Sequence, residues 1–390
     1  MPYAEGRIFN DADAHLMETA AWMSDYADAR TRVLLKPLDL TMAGSMADYA
    51  RRGAVDVGHW DKVEIEKNLM LFKGWEALGA FNAAERSRAL DLLGFNQQLI
   101  FTSLAMSQFW GVYEQRHHDP DLLYGGTRAL NRAIGDFCKA DPRMVAVGFL
   151  PLDDAERAQR EIEEGLKLGC GTFWIPAVPP AGKSPSHPDF EGVWGRLQAA
   201  NVPFMLHVGA GQIPGVGHRP MPDEYRNNGR GAKTGWLGGG EDLDSKDFTI
   251  LHAAAEAFLT AMVLDGTFER FPRLRCGVIE LGALWVIPWL KRLDIAQQIF
   301  VRSEPGLTLP MKASDYVRRQ IKFTPHPTEP VGWIIKQGGE QLFLFSSDYP
   351  HIEGGRNPLK RFEDSMTRIG EAAKERFYAA NFAEMMGTTV

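Results

Sequence analysis

The eight residues from Asp11 to Glu18 read Asp-Ala-Asp-Ala-His-Leu-Met-Glu and follow an apolar start, Ile8-Phe9. Alternate residues of a strand share a face, so Asp13 and His15 point the same way. Glu18 can fold back toward them if the chain leaves the strand after His15. Carboxylates and an imidazole gathered at one buried strand end are costly without a cation, and they are the donor types that hold divalent metals. The other reading of this stretch is an Asp-rich turn with a capping role. The same ending recurs downstream. His207 closes the run 202–207, Glu280 closes 275–280, and Asp348 and His351 follow 342–346. Asp13, His15, Glu18, His207 and Asp348 are therefore the expected metal ligands. Asp348, Glu280 and His252 are the expected acid–base groups, with Glu280, His252 and His351 as possible contacts to a second metal or to substrate. His252 also fits a helix start, and His351 a loop histidine beside Tyr349.

Something must bring these strand ends together. Apolar strand-length runs at 8–15, 98–102, 144–152, 172–175, 202–207, 275–280, 320–324 and 342–346 alternate with helical patterns at 83–93, 127–139, 153–168, 188–200, 249–270, 284–301, 330–337 and 358–369. A further helix is expected over 62–80 and another over 372–386. Strands alternating with helices predict a parallel sheet, and about eight such units predict a single (β/α)8 TIM barrel over residues 1–390. In that fold the chemistry sits at the C-terminal ends of the strands. The length of 390 residues exceeds the barrel norm of about 250, with insertions near 19–60, 210–248 and 302–319. The second of these, with nine glycines, reads as a lid or substrate loop.

A net charge of −7 argues against nucleic acid, which calls for a basic face. Cys138, Cys170 and Cys276 are odd in number and far apart, which suggests reduced thiols rather than a disulfide framework. No apolar leader opens the chain and no run approaches a membrane span, so a cytoplasmic protein without membrane contact is expected. No Gly-x-Ser-x-Gly elbow, dinucleotide turn or P-loop is present, and no lysine near 172–175 could form a bridging carbamate.

Five segments resemble the amidohydrolase superfamily, specifically the amidohydrolase-related group that includes aminocarboxymuconate-semialdehyde decarboxylase-like enzymes. They are Asp11-Ala-Asp-Ala-His15 with Glu18, His187-Pro-Asp-Phe-Glu-Gly-Val-Trp194, Phe268-Glu-Arg-Phe-Pro-Arg-Leu274, Ser346-Ser-Asp-Tyr-Pro-His351 and Ala380-Asn-Phe-Ala-Glu-Met-Met-Gly387. The resemblance implies that Asp13 and His15 fill the first-strand ligand pair, that His207 is the fifth-strand ligand, and that Asp348 binds metal and handles protons. It also implies a homo-oligomer. Two departures stand out. The decarboxylases of the group carry a catalytic histidine where this chain reads Glu280-Leu-Gly282, and Glu18, His252 and His351 are extra donors.

The expected activity is that of a metal-dependent hydrolase, with zinc as the first choice of divalent metal and manganese or iron, even two ions, as alternatives. The metal lowers the pKa of a bound water, Asp348 takes its proton, and Glu280 or His252 assists the leaving group. A non-oxidative decarboxylase and a carboxylate-rich dinuclear oxygenase are the alternatives, with a non-catalytic binding protein last. Trp174, Phe173, Trp285 and Tyr349 near strand ends suggest a small, partly aromatic substrate, although core packing suits Phe173 better. Lys183, Arg219 and Arg230 could meet its carboxylate, or simply be solvated.

Overall fold

Short apolar runs cannot bury both faces alone; stacked side by side in parallel and covered by helices, they can. The computed structural model describes residues 2–38, 40, 68–110, 119–209, 221–230, 244–304 and 308–388. Seven strands pair in parallel and in sequence order: β1 (Asn10–His15), β2 (Gln97–Phe101), β3 (Met144–Phe149), β4 (Cys170–Trp174), β5 (Phe204–His207), β6 (Cys276–Ile279) and β7 (Ile321–Phe323). Helices connect them, among them Ala83–Leu93, Pro120–Cys138, Ala155–Lys167, Glu191–Ala199 and Ala313–Gln320. Gly94 ends the first of these in the left-handed region (φ 76°), the role expected of a glycine just past a helix.

The expected eighth strand is a hydrogen-bonded segment rather than a regular strand. Phe323 N donates to Leu342 O (2.9 Å) and Leu344 N to Phe323 O (2.9 Å) on the β7 side. Ala12 N donates to Phe345 O (3.0 Å), and His15 N to Tyr349 O (2.8 Å), on the β1 side. The segment 342–349 thus bridges the two edges of the sheet in the position of a barrel's last strand. Its ladder is interrupted where Asp348 turns left-handed (φ 51°).

Other expectations need correction. The described part of the helix expected over 62–80 holds only the 3-10 turns Leu69–Leu71 and Gly74–Glu76, because Gly74 and Gly79 adopt positive φ. The helix expected over 249–270 is split into Ser245–Ile250, Ala253–Leu264 and Thr267–Arg270. Residues 245–264 have the length and apolarity to span a bilayer, although the sequence reading found no such run. The stretch breaks at residues 251–252 and buries Phe258, Leu259, Met262 and Val263 in the core. The third expected insertion contains the helix Ala313–Gln320, an ordinary crossover leading into β7. Half of the first insertion, 39 and 41–60, and most of the second, 210–220 and 231–243, lie outside the described residues.

Candidate metal centre and cleft

Because the strands are parallel and in register, β1 and β5 both end at the same face in a histidine. His15 Nε2 lies 3.3 Å from Asp13 Oδ1 and 3.7 Å from Asp348 Oδ1. His207 Nε2 lies 3.3 Å from the same Asp13 oxygen and 3.6 Å from Glu280 Oε2. His351 Nδ1 lies 3.3 Å from Asp348 Oδ1, and its ring stacks on that of His15 with centroids 3.8 Å apart. Donor atoms of Asp13, His15, His207 and Glu280 fall within 4.8 Å of one another, as do those of His15, Asp348 and His351.

The hydrogen bonds around the rings fix their tautomers. His15 Nδ1 is 2.9 Å from the Thr102 carbonyl, and His207 Nδ1 is 2.8 Å from the Val208 carbonyl. A carbonyl only accepts, so each Nδ1 carries the proton and each Nε2 presents a lone pair. The Ser103 hydroxyl donates to Leu16 O (2.8 Å) and must then accept from His351 Nε2 (2.7 Å), which leaves the His351 Nδ1 lone pair facing Asp348. Three imidazole lone pairs therefore meet carboxylate oxygens, acceptor against acceptor. Among the described residues His15 Nε2 and both Asp348 oxygens are buried without a hydrogen-bond partner, and such groups cost free energy until something satisfies them. A divalent cation does so, and the mixed imidazole and carboxylate donors suit manganese, iron or zinc. The residues fit the metal.

Electrostatics agree. Burial pushes the Asp13 carboxyl up, but the His207 and His15 imidazoles outweigh it and hold it well below the usual carboxylate range. Burial and the Asp13 charge push Asp348 up to about 7. Burial holds His15 and His351 neutral, down to about 4. A cation among these groups would keep both acids ionised.

Glu18 is not part of this ring. Its Oε1 accepts from Ser103 N (2.8 Å) and Ala105 N (3.2 Å), and its Oε2 from Leu104 N (2.8 Å). It therefore anchors the loop after β2, whose Thr102 and Ser103 orient His15 and His351. His252 is also elsewhere: it faces Glu256 (3.4 Å) and stacks on Trp285 (5.0 Å), outside both donor groups. The carboxylate surplus that suggested two metals shrinks accordingly. Asp11 is a structural acid as well. Fully buried, it accepts from Gln98 Nε2 (2.7 Å), Ser347 N (2.7 Å) and Ser347 Oγ (2.6 Å). Arg86, also fully buried, donates to His15 O (2.6 Å) and Gln98 Oε1 (3.1 Å). Asp11 and Arg86 bind β1 to the neighbouring β2 and the last segment just beneath the ligands.

Beside the ring lies a narrow cleft lined by Asp13, Glu280, Thr324, His326, Asp348 and Glu353 among others. The sequence reading missed His326 and Glu353. His326 lies on the turn after β7 and packs against Gly282, so it reaches the cleft that the missing post-β6 histidine would have served. Of the aromatic residues singled out, Trp174 packs on His207 with centroids 4.7 Å apart. Tyr349 is buried, donating to Leu78 O; Phe173 is core, and Trp285 carries His252. Lys183 pairs with Asp189 at the surface, Arg230 is exposed, and Arg219 lies outside the described residues.

The family model described as "Amidohydrolase" matches residues 11–386. The gamma-resorcylate decarboxylase of Rhizobium sp. (strain MTP-10005) is 24% identical over 268 residues, which cover 64% of this chain and 75% of that protein. Among solved structures, an amidohydrolase from Mycobacterium avium subsp. paratuberculosis K-10 superposes with a TM-score of 0.71 at 19% identity, covering 98% of this chain and 100% of that one. The 5-carboxyvanillate decarboxylase of Novosphingobium aromaticivorans DSM 12444, complexed with manganese and 4-hydroxy-3-methoxy-5-nitrobenzoic acid, superposes with a TM-score of 0.64 at 18% identity, covering 98% and 96%. The parallel sheet with ligand-bearing strand ends and the match along almost the whole chain lead to one conclusion: this protein belongs to the amidohydrolase family.

Proposed function

We propose that the protein is a metal-dependent, non-oxidative decarboxylase of a small aromatic acid. The observation that carries this reading is His326. The sequence reading ranked hydrolysis first because the chain lacks the histidine after β6, but an imidazole stands in the wall of the same cleft, supplied from the turn after β7. The curated relative is itself a decarboxylase, which points the same way.

Asp13, His15, His207 and Asp348 would hold the cation, with Glu280 and His351 at its margin. When bound, the metal supplies a Lewis acid that draws in a carboxylate and a neighbouring oxygen; manganese, present in the structural relative, is the metal to load first. The chain's residues do the rest. Asp11, Arg86 and Glu18 keep the ligands in place, as a preorganised site requires. His326 lines the cleft together with Glu280; burial lowers its pKa, so once protonated it gives up its proton readily, to the ring carbon as the bond to the carboxylate breaks. The electron pair of that bond stays on the ring carbon, takes the proton, and carbon dioxide leaves.

Hydrolysis is the second reading, favoured by one observation: Asp348, pushed up to about 7 with both oxygens unpartnered among the described residues, suits a group that accepts a proton from water. The test is to load the protein with manganese and offer 2,6-dihydroxybenzoate and 5-carboxyvanillate alongside aryl esters and lactones. Carbon dioxide release from an acid supports decarboxylation. Turnover of esters or lactones alone, without carbon dioxide, makes the enzyme a hydrolase.

A further inference from the structure

The turn after β7 reads Thr324-Pro-His-Pro-Thr-Glu-Pro330. Prolines on both sides of His326 restrict the backbone that carries it. Glu329 joins this turn to the connection after β6. Its Oε2 accepts from the backbone N–H groups of His326 (2.8 Å) and Ala283 (2.9 Å), and its Oε1 from those of Leu284 (2.9 Å) and Ala283 (3.1 Å). Glu329 N donates back to His326 O (3.0 Å). A capping role ahead of the helix Val331–Gly338 accounts for the bond to His326, but not for those that cross to Ala283 and Leu284. The two connections meet again at Thr324, whose Oγ1 accepts from Glu280 N (2.8 Å) and whose N–H donates to Val278 O (3.0 Å). Gly282 (φ 66°) passes so close that a Cβ there would lie 2.9 Å from His326 Cδ2 and 3.1 Å from Glu329 Oε1. Phe248, on the helix Ser245–Ile250, packs on the same imidazole with centroids 5.2 Å apart. Backbone and ring of His326 are thus both held. The described residues lining the cleft include Glu280, Thr324 and His326 but not Glu329, so Glu329 reaches the chemistry only through what it holds.

We propose that Glu329 is a positioning residue: by tying the connection after β6 to the turn after β7, it sets His326 in the cleft wall. The role calls for a carboxylate, because both oxygens are engaged and three N–H groups from two connections converge on them. Glutamine keeps one acceptor oxygen and turns an NH2 donor toward the remaining N–H groups, so one of the two connections is released. The proposal deepens the reading of His326 as the proton donor and rests on it.

A double-mutant cycle tests it, because residues that act through one another are not additive. Manganese-loaded, full-length wild type, Glu329→Gln, His326→Gln and the double variant are assayed on the acids and esters named above. A small misplacement of a reacting group costs up to about 10²-fold. Glu329→Gln is therefore expected to lower kcat roughly 10- to 100-fold, with KM and manganese content within about twofold of wild type. In the His326→Gln background the same change should cost less than about twofold more, since the group it positions is gone. Glu329→Asp, which keeps the carboxylate on a shorter stem, should fall between wild type and Glu329→Gln, and it replaces Glu329→Gln in the cycle if that variant is insoluble. An undiminished kcat in Glu329→Gln overturns the proposal. So does a loss that recurs in full in the His326→Gln background, which is what a helix cap alone would give, or a raised KM with kcat unchanged. A kcat loss in His326→Gln that Glu329→Gln does not share leaves the decarboxylase reading standing without this one. Turnover of esters alone sinks the decarboxylase reading, and the same cycle run on the ester then decides the role of Glu329.

Discussion

Asp11 and Asp13 sit two residues apart on one strand, both fully buried, and do opposite work. Asp11 is surrounded by donors: two from Ser347, one from Gln98 and the Asp13 backbone N–H. Asp13 faces the Nε2 atoms of His15 and His207, which their backbone partners have turned into acceptors. A carboxylate among donors is a strut, whereas one among acceptors invites a cation. Glu18 and Glu280 repeat the contrast, the first held by three backbone N–H groups and the second 3.6 Å from His207. Residue type is shared across each pair; the polarity of the neighbours separates them.

That contrast can be broken experimentally, most sharply at the ring. Asp348→Ala or His207→Ala should lower activity by at least about 10³-fold and deplete bound metal, with the far-UV circular dichroism unchanged. Full metal content and activity in both variants would remove the ring from the chemistry. Asp11→Ala should act in the other direction, leaving the donors of Gln98, Ser347 and the Asp13 backbone unsatisfied and costing about 2–4 kcal/mol of stability, read as a lower urea midpoint. The protein that remains folded should still bind one equivalent of metal.

Acid should separate the two regions next. His15 has its pKa lowered from 6.5 to about 4, chiefly by burial. A group whose folded pKa is depressed in this way is a base that the unfolded chain protonates first. Metal-free protein is therefore fully stable with respect to His15 above about pH 6.5 and loses stability progressively down to about pH 4. The loss is roughly 3 kcal/mol for this one ring, measured by denaturant melts across that range; a flat profile would contradict a neutral, buried His15. The smallest effects belong to Glu18 and His252, which lie outside the two donor groups. Glu18→Gln should cost about 1–2 kcal/mol without changing metal stoichiometry, and His252→Ala should leave activity within about twofold of wild type, since the partly exposed His252–Glu256 pair stands outside the donor groups. A metal deficit in Glu18→Gln would return that residue to the ligand set.

The parallel alternating architecture was legible because its signals are local: strand-length apolar runs, helical periodicity and stop residues such as Gly94. That Asp13, His15, His207, Glu280 and Asp348 come together at one face was legible because the barrel rule converts a position at a strand end into a position in space. What the rule cannot reach is side-chain partnership. Glu18 has ligand chemistry, and nothing in its own segment reveals that the loop after β2 presents three N–H groups to it. His252 was read as an acid–base group for the same reason, without sight of Glu256 and Trp285. His326 lies in the connection after β7 rather than at the end of an apolar run, so no periodic signal marks it.

Glu280 and Asp348 both adopt left-handed backbone conformations, with φ of 57° and 51°, at two of the strand ends that bring carboxylates to the cleft. Non-glycine residues pay for that conformation. A protein engineer screening this sequence for thermostability would find both positions attractive for glycine, and Glu280→Gly or Asp348→Gly could raise the melting temperature while erasing a member of the site. In this barrel, the residues a stability screen would replace first are among those the chemistry needs most.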